Sequence, residues 1–363
     1  MAKNRSPGRG PAYQFGIVTG RKQPWAQFGH EATFAAKDDL VSGAQEMRKM
    51  NASDFWKNFG LGEEVHIAGS FIYNGLRRFH ELRQLDQADE LFEFLYSLSI
   101  GLERLLKIAV VLHEHTAASD QDALEQSLIT HSHLDLVDRL RKRVAINFGK
   151  PHNDLLQLLS RFYKTLRYDR FTLNSVSKGT KEAEAIRGLL SKHLDAEVLD
   201  GSLLLGTSNE DRYRVFIRRT VLKISQTIYK VVDDRSSALG LYTYELRNGS
   251  KAQSVFLREV NIGDEDVLWK ELLIFFMNVD PSTGYLKFLK GIEPLGFDPA
   301  LVEEYLDCFK SDALKAEIMD ELEFHYEQME SRERSDRFET IGVIGATGVY
   351  FDDPEDDDEL SET

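Results

Sequence analysis

The sequence predicts a mainly α-helical protein, an antiparallel helical bundle followed by a small α+β unit. Three observations predict it. Apolar residues recur at i, i+3 and i+4 along most of the chain between residues 61 and 236. One such stretch, Leu85 to Thr116, runs for about eight turns with an apolar band wide enough to need more than one packing neighbour. Near Leu241 the period changes: two β-prone runs flank Arg247-Asn248-Gly249-Ser250, and Asn-Gly between such runs is a hairpin signal.

The elements follow in order. Residues 1–60 are irregular and glycine-punctuated, so they are expected to form an arm lying on the body. Val65, Ile67, Phe71, Ile72, Leu76 and Phe79 mark a first helix, and Leu91 to Leu112 the central one. Shorter helices are expected over Asp122–Ile129, Leu134–Ile146, His152–Tyr168 and Lys181–Leu194, then a long one from Glu210 to Asp234. The links between them are short, which favours antiparallel neighbours. Residues 61–236 thus form the bundle. Residues 237–340 carry the hairpin plus helices capped at Asp264 or Asp266, at Asp298-Pro299 and at Ser311. Residues 341–363 are expected to be a flexible acidic tail.

Composition narrows the class. The chain has 363 residues, 42% of them hydrophobic, which suits a folded body with a substantial core. No apolar run approaches the roughly 20 residues that span a bilayer, and no signal-peptide core follows Met1, so a cytoplasmic protein is expected. One cysteine, Cys308, allows no internal disulfide. No cofactor and no metal are expected. His113 and His115, two apart on a helix, diverge by about 200° and cannot share a metal on one face.

Net charge is −15, which opposes whole-molecule attraction to nucleic acid, yet the charge is uneven. The last twelve residues hold eight Asp and Glu and no cation. Between His131 and Lys181, eleven Lys and Arg face four Asp. Within that basic stretch aromatic and arginine residues interleave, so Arg139, Arg143, Arg161, Tyr163, Lys164 and Tyr168 form a candidate RNA or protein-partner surface. Rings there would stack on bases while cations hold phosphates. A second cluster, Arg212, Arg214, Arg218, Arg219 and Lys223, reads first as a solvated helix face. Ile341-Gly342-Val343-Ile344-Gly345-Ala346-Thr347-Gly348 imitates a dinucleotide-binding turn, but too little chain follows to build that fold.

The basic stretch, together with Ser99-Ile100-Gly101-Leu102-Glu103-Arg104-Leu105-Leu106-Lys107-Ile108, resembles the HEPN superfamily of small helical bundles. The resemblance covers at most Leu85 to about Asp234. It implies a homodimer, or a protein partner encoded nearby, in a prokaryotic anti-phage defence or toxin–antitoxin-type system, with RNA as ligand. It also implies an arginine holding the scissile phosphate and a histidine four to six residues on acting as acid or base. This sequence departs from that spacing, since no histidine follows Arg167 or Arg170 within reach. The leading expectation is therefore RNA or partner binding without a conventional nuclease site. The alternative is a metal-independent ribonuclease with a noncontiguous site, Arg167 and Arg170 meeting His131 or His133. A third reading is a structural subunit of a larger defence complex whose acidic tail mimics nucleic acid.

Overall fold

The computed structural model describes residues 50–351 except 117, 172–180, 195–205, 259, 282, 310–311, 347–348 and 350. The expected arm over residues 1–49 and the acidic tail from Asp352 onward lie outside the described residues. The chain divides into two units between Trp56 and Lys57. Of the first, residues 50–56 are described: Asn51 caps a four-residue helix, Ala52–Phe55, its Oδ1 accepting the Asp54 amide at 2.9 Å.

The second unit is built on two long helices, α1 (Leu61–Glu81) and α2 (Ala88–Glu114). Their facing side chains, among them Val65, Ile72, Phe94, Leu98, Leu102 and Leu105, are fully buried. Close approach requires glycine at the crossing. A Cβ on Gly101 would stand 2.7 Å from Ile72 Cγ1 and 3.0 Å from the Ala68 carbonyl oxygen. The end of α1 and the link over residues 82–87 are held by polar contacts with residues far along the chain. Asn209 Nδ2 donates to the carbonyls of Phe79 at 2.7 Å and Leu82 at 3.0 Å. Asp86 accepts the Thr207 amide and pairs with Arg187.

Four more helices follow: α3 (Gln121–Ser127), then α4 (His133–Arg141), α5 (Lys150–Lys164) and α6 (Lys181–Leu194), and the last three pack on α2. A short 3-10 helix, Leu166–Phe171, follows α5. The long α7 (Asp211–Ala238) packs along α2 and buries Ile217, Val221, Ile224 and Ile228. Caps fix the starts: Asp120 accepts the Ala123 amide ahead of α3, and Ser132 the Asp135 amide ahead of α4.

The expected hairpin does not form, and no strand occurs among the described residues. Gly249 does take the left-handed conformation (φ 70°), but the turn feeds a helix, α8 (Lys251–Phe256). Ser250 caps it, accepting the Gln253 amide at 3.1 Å. Ala252, Val255 and Phe256 sit at helical spacing and bury together against α1, where Gly69 leaves room for Ala252. Phe256 stacks on Tyr229 of α7 with rings nearly parallel. The β-prone residues were answering to this packing and not to a ladder.

The remaining helices are α9 (Ile262–Asn278), α10 (Gly284–Gly291), α11 (Val302–Asp307), α12 (Asp312–Glu327) and α13 (Ser331–Gly342). α10 and α13 are helices that periodicity did not single out. The start of α9 is tied to α1 by polar contacts: Tyr73 Oη donates to Glu265, Arg77 pairs with Glu265 at 2.9 Å, and His80 meets Asp266 at 2.9 Å. Beyond that anchor α9 exposes Leu268, Leu272, Phe275, Phe276 and Met277.

Candidate functional site

The site is assembled where α5 ends. α5 starts with Gly149 as N-cap and Pro151 in its first turn, and it buries Leu155, Leu156, Leu159 and Phe162. That burial leaves Arg161 and Lys164 exposed and holds Tyr163 at the edge of the core. After Thr165 the 3-10 helix turns the chain back, anchored by buried Leu166. The turn lays the Arg167 guanidinium on the Tyr163 ring, 3.8 Å from its centroid, and 4.5 Å from that of Tyr168. Among the described residues Arg167 has no carboxylate partner, and its Nε has no hydrogen-bond partner.

His131 reaches the same ring from another element. It precedes the Ser132 cap of α4, and its imidazole lies 4.6 Å from the Tyr163 centroid. Its Nδ1 faces Glu103 Oε2 of α2 at 3.1 Å, while Glu103 Oε1 accepts from Lys107 Nζ at 2.6 Å. A proton on Nδ1 directed at Glu103 leaves the lone pair on Nε2, the tautomer suited to accept a proton from a ligand. Tyr96 extends the surface, its ring stacking on Tyr163 at 6.1 Å and on Phe92 at 5.9 Å. Tyr168 is 55% exposed at the other side. The surface thus offers aromatic faces, one guanidinium without a carboxylate partner among the described residues, and one carboxylate-held imidazole.

Of the residues the sequence nominates, His131, Tyr163, Arg167 and Tyr168 come together. His133 does not join them. It is fully buried, with Nε2 donating to the Ser99 carbonyl at 2.8 Å and Ser160 Oγ beside Nδ1 at 3.3 Å. Burial lowers its pKa, so it is a neutral structural residue at pH 7. Arg139 is committed elsewhere: its Nε and one terminal nitrogen engage both oxygens of Glu114, and it also bonds Ser127. That pair holds the Glu114 carboxyl below the usual range. Arg143 is exposed beyond the end of α4, and Arg161 and Lys164 lie on the solvent side of α5. The Arg170 side chain lies outside the described residues.

Glu103, Lys107 and Tyr96 were not nominated by the sequence. Glu103 and Lys107 stand at i, i+4 on α2, as do Phe92 and Tyr96, and both pairs are ordinary helix-face spacings. Only the fold shows that Glu103 of one pair faces His131 and that Tyr96 of the other stacks on Tyr163.

Among the described residues no three His, Cys, Asp or Glu side chains gather as a metal-ligand set. No described helix is long and apolar enough to cross a membrane. Comparison with protein-family models, curated proteins and solved structures finds no match.

Proposed function

We propose that this is a HEPN-like helical protein that binds single-stranded RNA on the surface centred at Tyr163. The observation that carries the reading is the convergence of His131 and Arg167 on one partly exposed ring, flanked by Tyr96 and Tyr168. Aromatic faces accept any base by stacking, and an arginine with no carboxylate partner among the described residues gains most from a phosphate. Arg143, Arg161 and Lys164 add exposed positive charge nearby in sequence. The context that the resemblance implies is a prokaryotic defence or toxin–antitoxin-type system, with the chain acting as a homodimer or beside a protein partner. The exposed apolar residues of α9 are the surface such a partner would cover. Fluorescence anisotropy with a labelled single-stranded RNA tests the reading: Arg167→Ala weakens binding, and unchanged affinity in that variant refutes it.

A second reading, metal-independent cleavage of the bound RNA, is favoured by the Glu103–His131 pair. His131 Nε2 would take the proton of a ribose 2′-hydroxyl, whose oxygen attacks the adjacent phosphorus as the 5′-oxygen leaves. Arg167 would balance the charge that develops on the phosphate. His131→Gln abolishes cleavage while leaving binding near wild type under this reading. Intact RNA after long incubation with the wild-type protein overturns it.

A further inference from the structure

Helix α9 is apolar nearly all round, a composition that in a folded protein is normally buried on every side. Here only one side is held. Asp266 meets His80 at 2.9 Å, Glu265 bonds Tyr73 and Arg77, and Trp269 stacks on Phe309 with ring centroids 5.3 Å apart. These contacts fix how the helix is turned. At about 100° per residue Asp266, Trp269 and Leu273 share one side, and all three are half-buried. The opposite side, a sector of about 160°, carries Val267, Leu268, Leu272, Ile274 and Phe275, each 45–59% exposed. A contiguous apolar band of this kind marks an interaction surface, which singly scattered apolar residues do not.

Two acids run through the middle of the band. Asp264 and Glu271 stand at i and i+7, and both are exposed. Leu268, Leu272 and Phe275 flank that line on one side, Val267 and Ile274 on the other. Asn261 Nδ2 donates to Asp264 Oδ1 at 2.7 Å, a neutral partner that leaves the carboxylate its charge. Lys270, the one cation within α9, falls outside the sector.

Charge decides between occupants. A second copy of α9 would bring four carboxylates into one apolar contact with no cation of its own to pair them, and such burial is costly. A helix that carries Lys or Arg at the same i, i+7 spacing among apolar residues pairs both acids and covers both apolar flanks. We infer that α9 docks an amphipathic helix of a protein partner whose apolar face carries lysine or arginine at i and i+7. The inference rests on the partner-binding part of the proposed function and is independent of RNA at Tyr163.

The test uses two labelled synthetic helices of about 17 residues, the length of α9, and fluorescence anisotropy on the full chain. Both present a leucine and alanine face; one carries lysine at i and i+7 within it, the other glutamate. The lysine helix binds wild type about tenfold more tightly than the glutamate helix. Glu271→Lys erases that preference, and Leu272→Ser weakens the lysine helix about tenfold. Both positions are exposed, so the thermal midpoint stays unchanged and a folding defect is separated from a binding one. Equal binding of the two helices by wild type, or binding of neither, overturns the inference. So does a wild-type dimer in sedimentation velocity that Leu272→Ser dissociates, which would make the face a contact between two copies. RNA anisotropy on the same proteins reads the Tyr163 surface separately, so either reading can fail while the other stands.

Discussion

Replacing Tyr163 with alanine removes the ring on which the candidate surface is built. Three groups lean on it: the Arg167 guanidinium at 3.8 Å, the His131 imidazole at 4.6 Å and the Tyr96 ring at 6.1 Å. The cation–π contact is worth about 0.5–1 kcal/mol at an exposed site, and its loss frees Arg167 to leave the surface. Loss of one stacked base costs about 1–3 kcal/mol, which corresponds to roughly 5- to 150-fold in Kd. Tyr163→Phe keeps the ring and should bind within about threefold of wild type, because stacking does not need the hydroxyl. The assay is anisotropy with a labelled single-stranded octamer, with circular dichroism confirming that both variants remain helical. If Tyr163→Ala, folded, binds as tightly as wild type, the ring is scaffold and the reasoning is wrong.

Further outcomes follow from the same geometry. Gly101→Ala should lower stability by about 1–3 kcal/mol in denaturant titration, since the added methyl meets Ile72 at 2.7 Å and the Ala68 carbonyl; an unchanged midpoint would show that α1 and α2 separate without strain. Arg139→Ala should cost on the order of 1–3 kcal/mol of stability by unpairing Glu114, yet leave RNA affinity within about twofold, the opposite pattern to Arg167→Ala. Stability should fall as pH drops below 6.5. There His133, whose folded pKa burial lowers from that value, must gain a proton on unfolding, so the unfolded state binds more protons and is favoured by acid. His66, His113 and His152 are shifted the same way, mainly by burial. Below about pH 4.5 the Glu114 carboxylate adds to the loss, because its folded pKa is depressed by Arg139 and its stabilising pair disappears on protonation. Urea midpoints between pH 8 and pH 4 check this, and a flat profile from 7 to 5 would contradict it.

Helices packed on helices leave a strong mark in sequence, and here that mark was readable. The expected helix from Leu85 to Thr116 is α2, Ala88–Glu114, and its wide apolar band is explained by α1, α4, α5 and α7 all packing on it. The Lys181–Leu194 helix has the expected bounds. The hairpin was misread because the run Ser254-Val255-Phe256-Leu257 is too short for its β-prone residues to be told from one turn of helix. Ser250, a good N-cap, was the signal that favoured a helix. Half of the candidate site was legible in the same way, since the alternation of Arg and Tyr from Arg161 to Tyr168 marks a surface wherever it folds. Its histidines were not separable by sequence. His131 and His133 are two residues apart, but the helix start at Ser132 sends one into the core against Ser99 and leaves the other beside Glu103. Glu103 itself, 28 residues from His131, becomes a partner only through the packing of α4 on α2.

The central claim, that RNA lies against Tyr163, is tested most directly by photocrosslinking a 4-thiouridine-containing RNA octamer to the protein and mapping the modified peptides by mass spectrometry. The account predicts crosslinks on the segment containing Tyr163, Arg167 and Tyr168, lost when unlabelled octamer competes. Competable crosslinks confined to other segments, such as α9 or α13, would contradict it.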